Sequence, residues 1–138
     1  MSCRASWRLA LVTLALTVAM GCGGKRTYQV AGKVTFKDGT PLNGGQVVFE
    51  PVDKDAKIGA RGQIQADGTF RMGTYRDDDG VSEGKHKVLV VPPLPPILDE
   101  RRPAPPILHP RFQKFDSSGL EYTVTRDNKE YHIIVEKP

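Results

Sequence analysis

Cysteine is nearly missing from this chain: Cys3 and Cys22 are the only two in 138 residues. A fold stapled by a disulfide framework is thereby excluded, since removal of an N-terminal leader leaves one thiol with no partner. Tryptophan is scarcer still. Trp7 is the only one, so any aromatic sugar-stacking surface past the leader must use Tyr28, Tyr75, Tyr122 or Tyr131. Long apolar runs are also absent. The longest, Leu9–Met20, has twelve residues, where a membrane-spanning helix needs about 20. No segment carries a helical period. Charge of one sign is lacking too: without Arg4 and Arg8, 18 basic residues face 16 acidic ones, a net +2. The basic residues are scattered, which excludes a nucleic-acid footprint.

What is present begins at the N-terminus. Arg4 and Arg8 precede the short apolar run, and Gly21-Cys22-Gly23-Gly24 ends it. A basic start, a short apolar core and a small-residue boundary describe a secretory signal peptide. The stretch "TVAMGCGGK" resembles the lipobox of bacterial lipoproteins, in which a small residue precedes the modified cysteine. Gly21-Cys22 match that pattern, while Ala19 stands where leucine is usual. The resemblance implies cleavage before Cys22, a diacylglyceryl thioether on its sulfur and an acyl amide such as palmitate on its nitrogen. Several acyl chains make a stable anchor where one is marginal. Residues 1–21 are thus read as a lipoprotein signal peptide and 22–27 as a lipid-anchored tether. Five residues past the cysteine reach at most about 18 Å, which keeps the domain close to the bilayer. Lys25 and Arg26 either contact anionic headgroups or are simply solvated.

From Tyr28 the chain reads as β-structure. "YQVAGKVTF" alternates apolar and polar residues with period two. Strands are predicted at 28–37, 46–50, 59–65, 69–74, 84–91, 119–125 and 130–136, with hairpins joining the third to the fourth and the sixth to the seventh. The expected core is Val30, Val34, Phe36, Leu42, Val47, Phe49, Ile64, Phe70, Met72, Val88, Val90, Leu120, Tyr122, Val124, Ile133 and Val135. Asp38-Gly39 and Asp67-Gly68 mark turns. Seven strands spaced by such turns predict an all-β fold, a seven-stranded antiparallel sandwich over 28–138. One insertion interrupts it. Residues 92–118 open with eight of the eleven prolines, all within 92–110, and prolines cannot donate to a sheet. Leu94, Ile97, Leu98, Ile107 and Leu108 lie there, either as cover for a sandwich edge or as a partner-contact patch.

The run "VAGKVTFKDGTPLNGGQVVFEP" resembles the opening of carboxypeptidase regulatory-like domains. Gly32, Val34, Gly39, Pro41, Leu42, Gly44-Gly45 and Val47 carry the resemblance, followed by Asp67-Gly68-Thr69-Phe70 and Gly84-Lys85-His86-Lys87-Val88-Leu89-Val90. His86 stands where those domains usually have tyrosine. The likeness extends to small lipoproteins of planctomycete-type bacteria. It implies a transthyretin-like sandwich and says nothing of chemistry.

No catalytic residue and no metal ligand is assigned from sequence. Asp77-Asp78-Asp79 is the densest acidic group, but adjacent aspartates suit a polar turn better than a calcium loop. His86, His109 and His132 lack metal-ligand spacing. His86 is expected to cap a turn carbonyl through one ring nitrogen. Ser82, Ser117 and Ser118 lack the setting of a nucleophile. A hydrolase of transthyretin-like fold is disfavoured, because its Tyr-Arg-Gly-Ser tetrapeptide is replaced by Val135-Glu136-Lys137-Pro138. The expectation is an exported, membrane-anchored envelope protein that needs no cofactor. It binds or scaffolds an envelope protein or a glycan, with a carbohydrate-binding module as the alternative.

Overall fold

The computed structural model describes residues 26–56, 58–95 and 104–138. Cys22, the signal peptide over 1–21, most of the tether, and Ile97 and Leu98 lie outside the described residues. Nine strands run in chain order: β1 Thr27–Tyr28, β2 Ala31–Phe36, β3 Gln46–Pro51, β4 Ala60–Gln63, β5 Thr69–Arg71, β6 Val81–Ser82, β7 Gly84–Val91, β8 Leu120–Val124 and β9 Glu130–Val135. Between β7 and β8 stand a 3₁₀ turn, Pro110–Gln113, and a four-residue helix, α1 Phe115–Ser118. Among the described residues no helix is long and apolar enough to cross a membrane.

The strands form a three-stranded sheet in the order β5-β2-β9, a four-stranded sheet in the order β4-β3-β7-β8, and the small pair β1-β6. Alternation explains the layering. Val47, Phe49, Val88 and Val90 of the larger sheet and Val34, Phe70, Ile133 and Val135 of the smaller one are all buried in one core. The Phe49 and Tyr131 rings meet edge-on across it, 6.0 Å apart. Burying a side chain such as Phe49 contributes about 1.5–3 kcal/mol. The predicted core residues all join this cluster, with Phe36, Leu120 and Tyr122 only partly buried.

The expected topology needs three corrections. The predicted strand 28–37 is split into β1 and β2, and β6 is added, so the described residues hold nine strands rather than seven. The sheets are not wholly antiparallel, because β2 and β9 pair in parallel from Ala31↔Glu130 to Phe36↔Val135. Strands of both expected hairpins also part between sheets: β8 pairs with β7 whereas β9 pairs with β2, and β4 pairs with β3 whereas β5 pairs with β2. The hairpin of 59–65 with 69–74 nevertheless keeps antiparallel contact, since the Gln65 N–H donates to the Thr69 carbonyl and Arg61 and Gly73 exchange both backbone bonds. Between β8 and β9 the Tyr131 hydroxyl donates to the carbonyls of Thr123 (2.9 Å) and Asn128 (3.0 Å), tying the connection down.

Two turns repeat one device. In Asp38-Gly39-Thr40 and Asp67-Gly68-Thr69 the aspartate Oδ1 accepts from both the backbone N–H and the hydroxyl of the threonine. The glycines have φ of 86° and 83°, left-handed values open to glycine at no steric cost. Gly32 is needed for a different reason: a Cβ there would lie 2.1 Å from the Tyr131 carbonyl oxygen.

The described end of the proline-rich insertion folds back. Leu108 and Phe112 are wholly buried. The His109 N–H donates to the Glu136 carbonyl (2.9 Å), and the Ser118 hydroxyl donates to that of Val88 (2.6 Å). The segment therefore covers the sandwich beside β9, the kind of protection an exposed sheet edge requires. Leu108 is corrected from a partner contact to a core residue, since the domain's own side chains enclose it. Leu94 and Ile107 remain exposed, at 94% and 45%.

Candidate binding groove

The candidate residues from sequence fall in separate places. His86 lies in the core against Phe49, ring centroids 5.9 Å apart. Its Nδ1–H donates to the Gly84 carbonyl (2.9 Å), the turn-capping role expected for it. The Ser82 hydroxyl lies 3.3 Å from His86 Nε2, a pairing the sequence reading missed. Both residues are buried, and the Gly84 backbone carbonyl helps orient the ring. His132 hydrogen-bonds Thr35 (2.8 Å) on the outer face of the smaller sheet, and His109 caps the 3₁₀ turn by accepting from the Arg111 N–H. Ser117 donates to the Arg111 carbonyl. Among the described residues no three His, Cys, Asp or Glu side chains converge as a metal site requires.

The acidic stretch is a loop organiser. Asp79 accepts three consecutive backbone N–H groups: Thr74 through Oδ1, and Tyr75 (2.9 Å) and Arg76 (3.1 Å) through Oδ2. Desolvation opposes its ionisation, but these three donors outweigh it and hold the carboxyl below the ordinary aspartate range. The Thr74 hydroxyl donates to the Gly80 carbonyl, and Gly73 exchanges both backbone bonds with Arg61 of β4. The loop is thus tied to the sheet at its base and folded around one carboxylate. At its tip Tyr75 is 64% exposed.

Tyr75 borders a groove of about 1060 Å³ on the outer face of the larger sheet. Its floor follows from strand alternation. While Val47 and Phe49 point inward, Gln46, Val48 and Glu50 of β3 line the groove. They stand beside Gln63 and Arg61 of β4, with Gln46 paired to Gln63 and Val48 to Arg61. β3 lies between β4 and β7. The Tyr75 loop is bonded to β4 and α1 packs on β7, so Tyr75 and Phe115 stand on opposite sides of the floor. Val52 and Ile58, both about half exposed, complete the lining at one end.

Electrostatics leave this floor unspent. Lys37 and Arg111 pair with Glu136, Lys85 with Glu121, Lys87 with Asp116, and Lys137 with Asp38, all away from the floor, while Asp53 at the groove's rim is itself engaged. The side chains of Gln46, Glu50, Arg61 and Gln63 form no hydrogen bond or ion pair with the described residues. A second depression of about 980 Å³ on the outer face of β2, β5 and β9 joins the groove at Arg61, Gln63, Gly73 and Asp77. Lys33, Arg71, Glu130 and His132 line it. The sequence offers Tyr75 only as one of four tyrosines and does not reveal the floor, because outward-facing polar residues of a strand look alike whether they face solvent or a ligand. No family model, curated protein or solved structure matches this chain.

Proposed function

We propose that this is a lipid-anchored envelope protein whose sandwich binds another envelope component and performs no chemistry of its own. One observation carries the binding reading: the groove on β3 and β4 presents four hydrogen-bonding side chains without partners among the described residues, beside an aromatic ring on a tied-down loop. Hydrogen-bonding groups arranged this way beside exposed apolar surface are what a binding site offers. The hydrolase reading fares worse. The Ser82–His86 pair is buried and lines neither of the two depressions described.

The anchoring reading rests on the Gly21-Cys22 boundary after a short apolar run. The fold accords with it, since β1 begins at Thr27, five residues past the cysteine. We read the sandwich as transthyretin-like, of the carboxypeptidase regulatory-like type; the two Asp-Gly turns and the close approach at Gly32 support that resemblance. Fractionation tests the anchor. The natural protein should partition with membranes and a Cys22→Ser variant should not; equal partitioning of the two would refute it.

A further inference from the structure

We infer that the ligand of the β3–β4 groove is a neutral oligosaccharide that stacks on Tyr75; this rests on the binding reading above and names its ligand. Three features of the groove converge on that chemistry. A pyranose ring offers a face of C–H bonds, whose positive edges suit the negative face of an aromatic ring. Tyr75 supplies such a face at 64% exposure, on a loop whose backbone Asp79 already holds. Little ordering entropy is then lost on binding, as a preorganised site requires.

The second feature is the floor. Sugar hydroxyls both donate and accept, so they are matched by groups of both kinds side by side. Gln46 and Gln63 are cross-strand partners, and each amide carries a donor and an acceptor. Arg61 adds donors and Glu50 an acceptor, and none of the four has a partner within the described residues. The third feature is balance. The groove's cations Lys54, Arg61 and Arg76 are matched by Glu50, Asp53 and Asp77, so nothing selects a charged polymer. The floor runs the length of six-residue β3, roughly 20 Å at 3.4 Å per residue. An open trough of that length suits a chain of sugars better than one ring.

Affinity electrophoresis of the full chain, purified from membranes in a detergent without a sugar headgroup, tests this. The gels carry laminarin, xylan or polygalacturonate. A neutral polymer, laminarin or xylan, should retard the protein. Tyr75→Ala and Gln63→Ala should each weaken that retardation at least tenfold, with melting unchanged. Tyr75→Phe, which keeps the ring, and Leu94→Ala, outside the groove, should retain it. The inference is overturned if no neutral polymer retards the protein, if only polygalacturonate does, or if Tyr75→Ala binds as well as the natural chain. It is also overturned if the Tyr75→Ala change costs capture of an envelope protein while no polymer binds. Membrane partition of the same preparations is scored separately, so loss of anchoring strikes the broader reading and leaves this one standing.

Discussion

The Asp79 carboxylate accepts the backbone N–H of Tyr75 at 2.9 Å, and so one acidic side chain sets where the most exposed tyrosine stands. Asp79→Ala leaves three N–H groups to water and frees the loop. A loss of about 0.5–2 kcal/mol is expected, the range for a lost capping side chain. Amide exchange at Thr74, Tyr75 and Arg76 should rise by more than the global loss explains. Uniform exchange changes across the domain would mean that Asp79 does not hold the loop.

The pH profile follows from the shifted groups. Hydrogen bonds hold Asp38, Asp67 and Asp79 below the ordinary aspartate range: Lys137 and then Thr40 act on Asp38, Thr69 acts on Asp67, and three backbone donors overcome desolvation at Asp79. A carboxyl with a depressed folded pKa stabilises the fold above its unfolded value, about 3.9. That contribution is lost as pH falls through the folded pKa. At the other end, burial raises Tyr122, and burial with Tyr122 raises Tyr131. Their contribution is present below about pH 10 and is lost as pH rises through the raised folded values. Urea unfolding should therefore show a plateau that declines below about pH 4 and above about pH 10, and Asp79→Asn should flatten the acid limb.

Leu108→Ala should cost about 2–5 kcal/mol and Phe112→Ala about 3–5, because both side chains are enclosed in the core. Ile107→Ala, at a half-exposed neighbour, should stay within about 0.5 kcal/mol. Denaturant midpoints check this. Equal effects at 107 and 108 would mean that the insertion is not part of the cooperative fold.

Tyr131→Phe removes the hydroxyl shared by the Thr123 and Asn128 carbonyls while keeping the ring against Phe49 and Tyr122. The expected cost is about 1 kcal/mol, one net hydrogen bond. A thermal melt showing no shift would make that link incidental to stability.

Much of the sandwich was legible from period-two alternation, which shows which side of a strand is buried. Val34, Phe49, Val88 and Ile133 could be placed in the core on that ground alone. Alternation does not say which strand lies alongside. The parallel pairing of Lys33 with His132 joins residues far apart in sequence, and β8 and β9 read like a hairpin although they enter different sheets. Leu108 was legible only as edge cover or partner contact, and Phe112 was hidden by composition, since the prolines before it suggest an exposed extended segment. Ser82 and His86 were visible as residues, but their meeting depends on how the chain turns at Gly84. For the groove, Tyr75 was the legible part. The Gln46–Gln63 pair appears only once β3 and β4 are set in register.

The central claim is that this sandwich is held at a membrane through Cys22. The intact mass of the protein extracted from membranes tests it most directly. The account predicts a chain that begins at Cys22 and carries the added mass of a diacylglyceryl group and an acyl chain. A membrane-derived chain that begins elsewhere, or begins at Cys22 without added lipid, would contradict it.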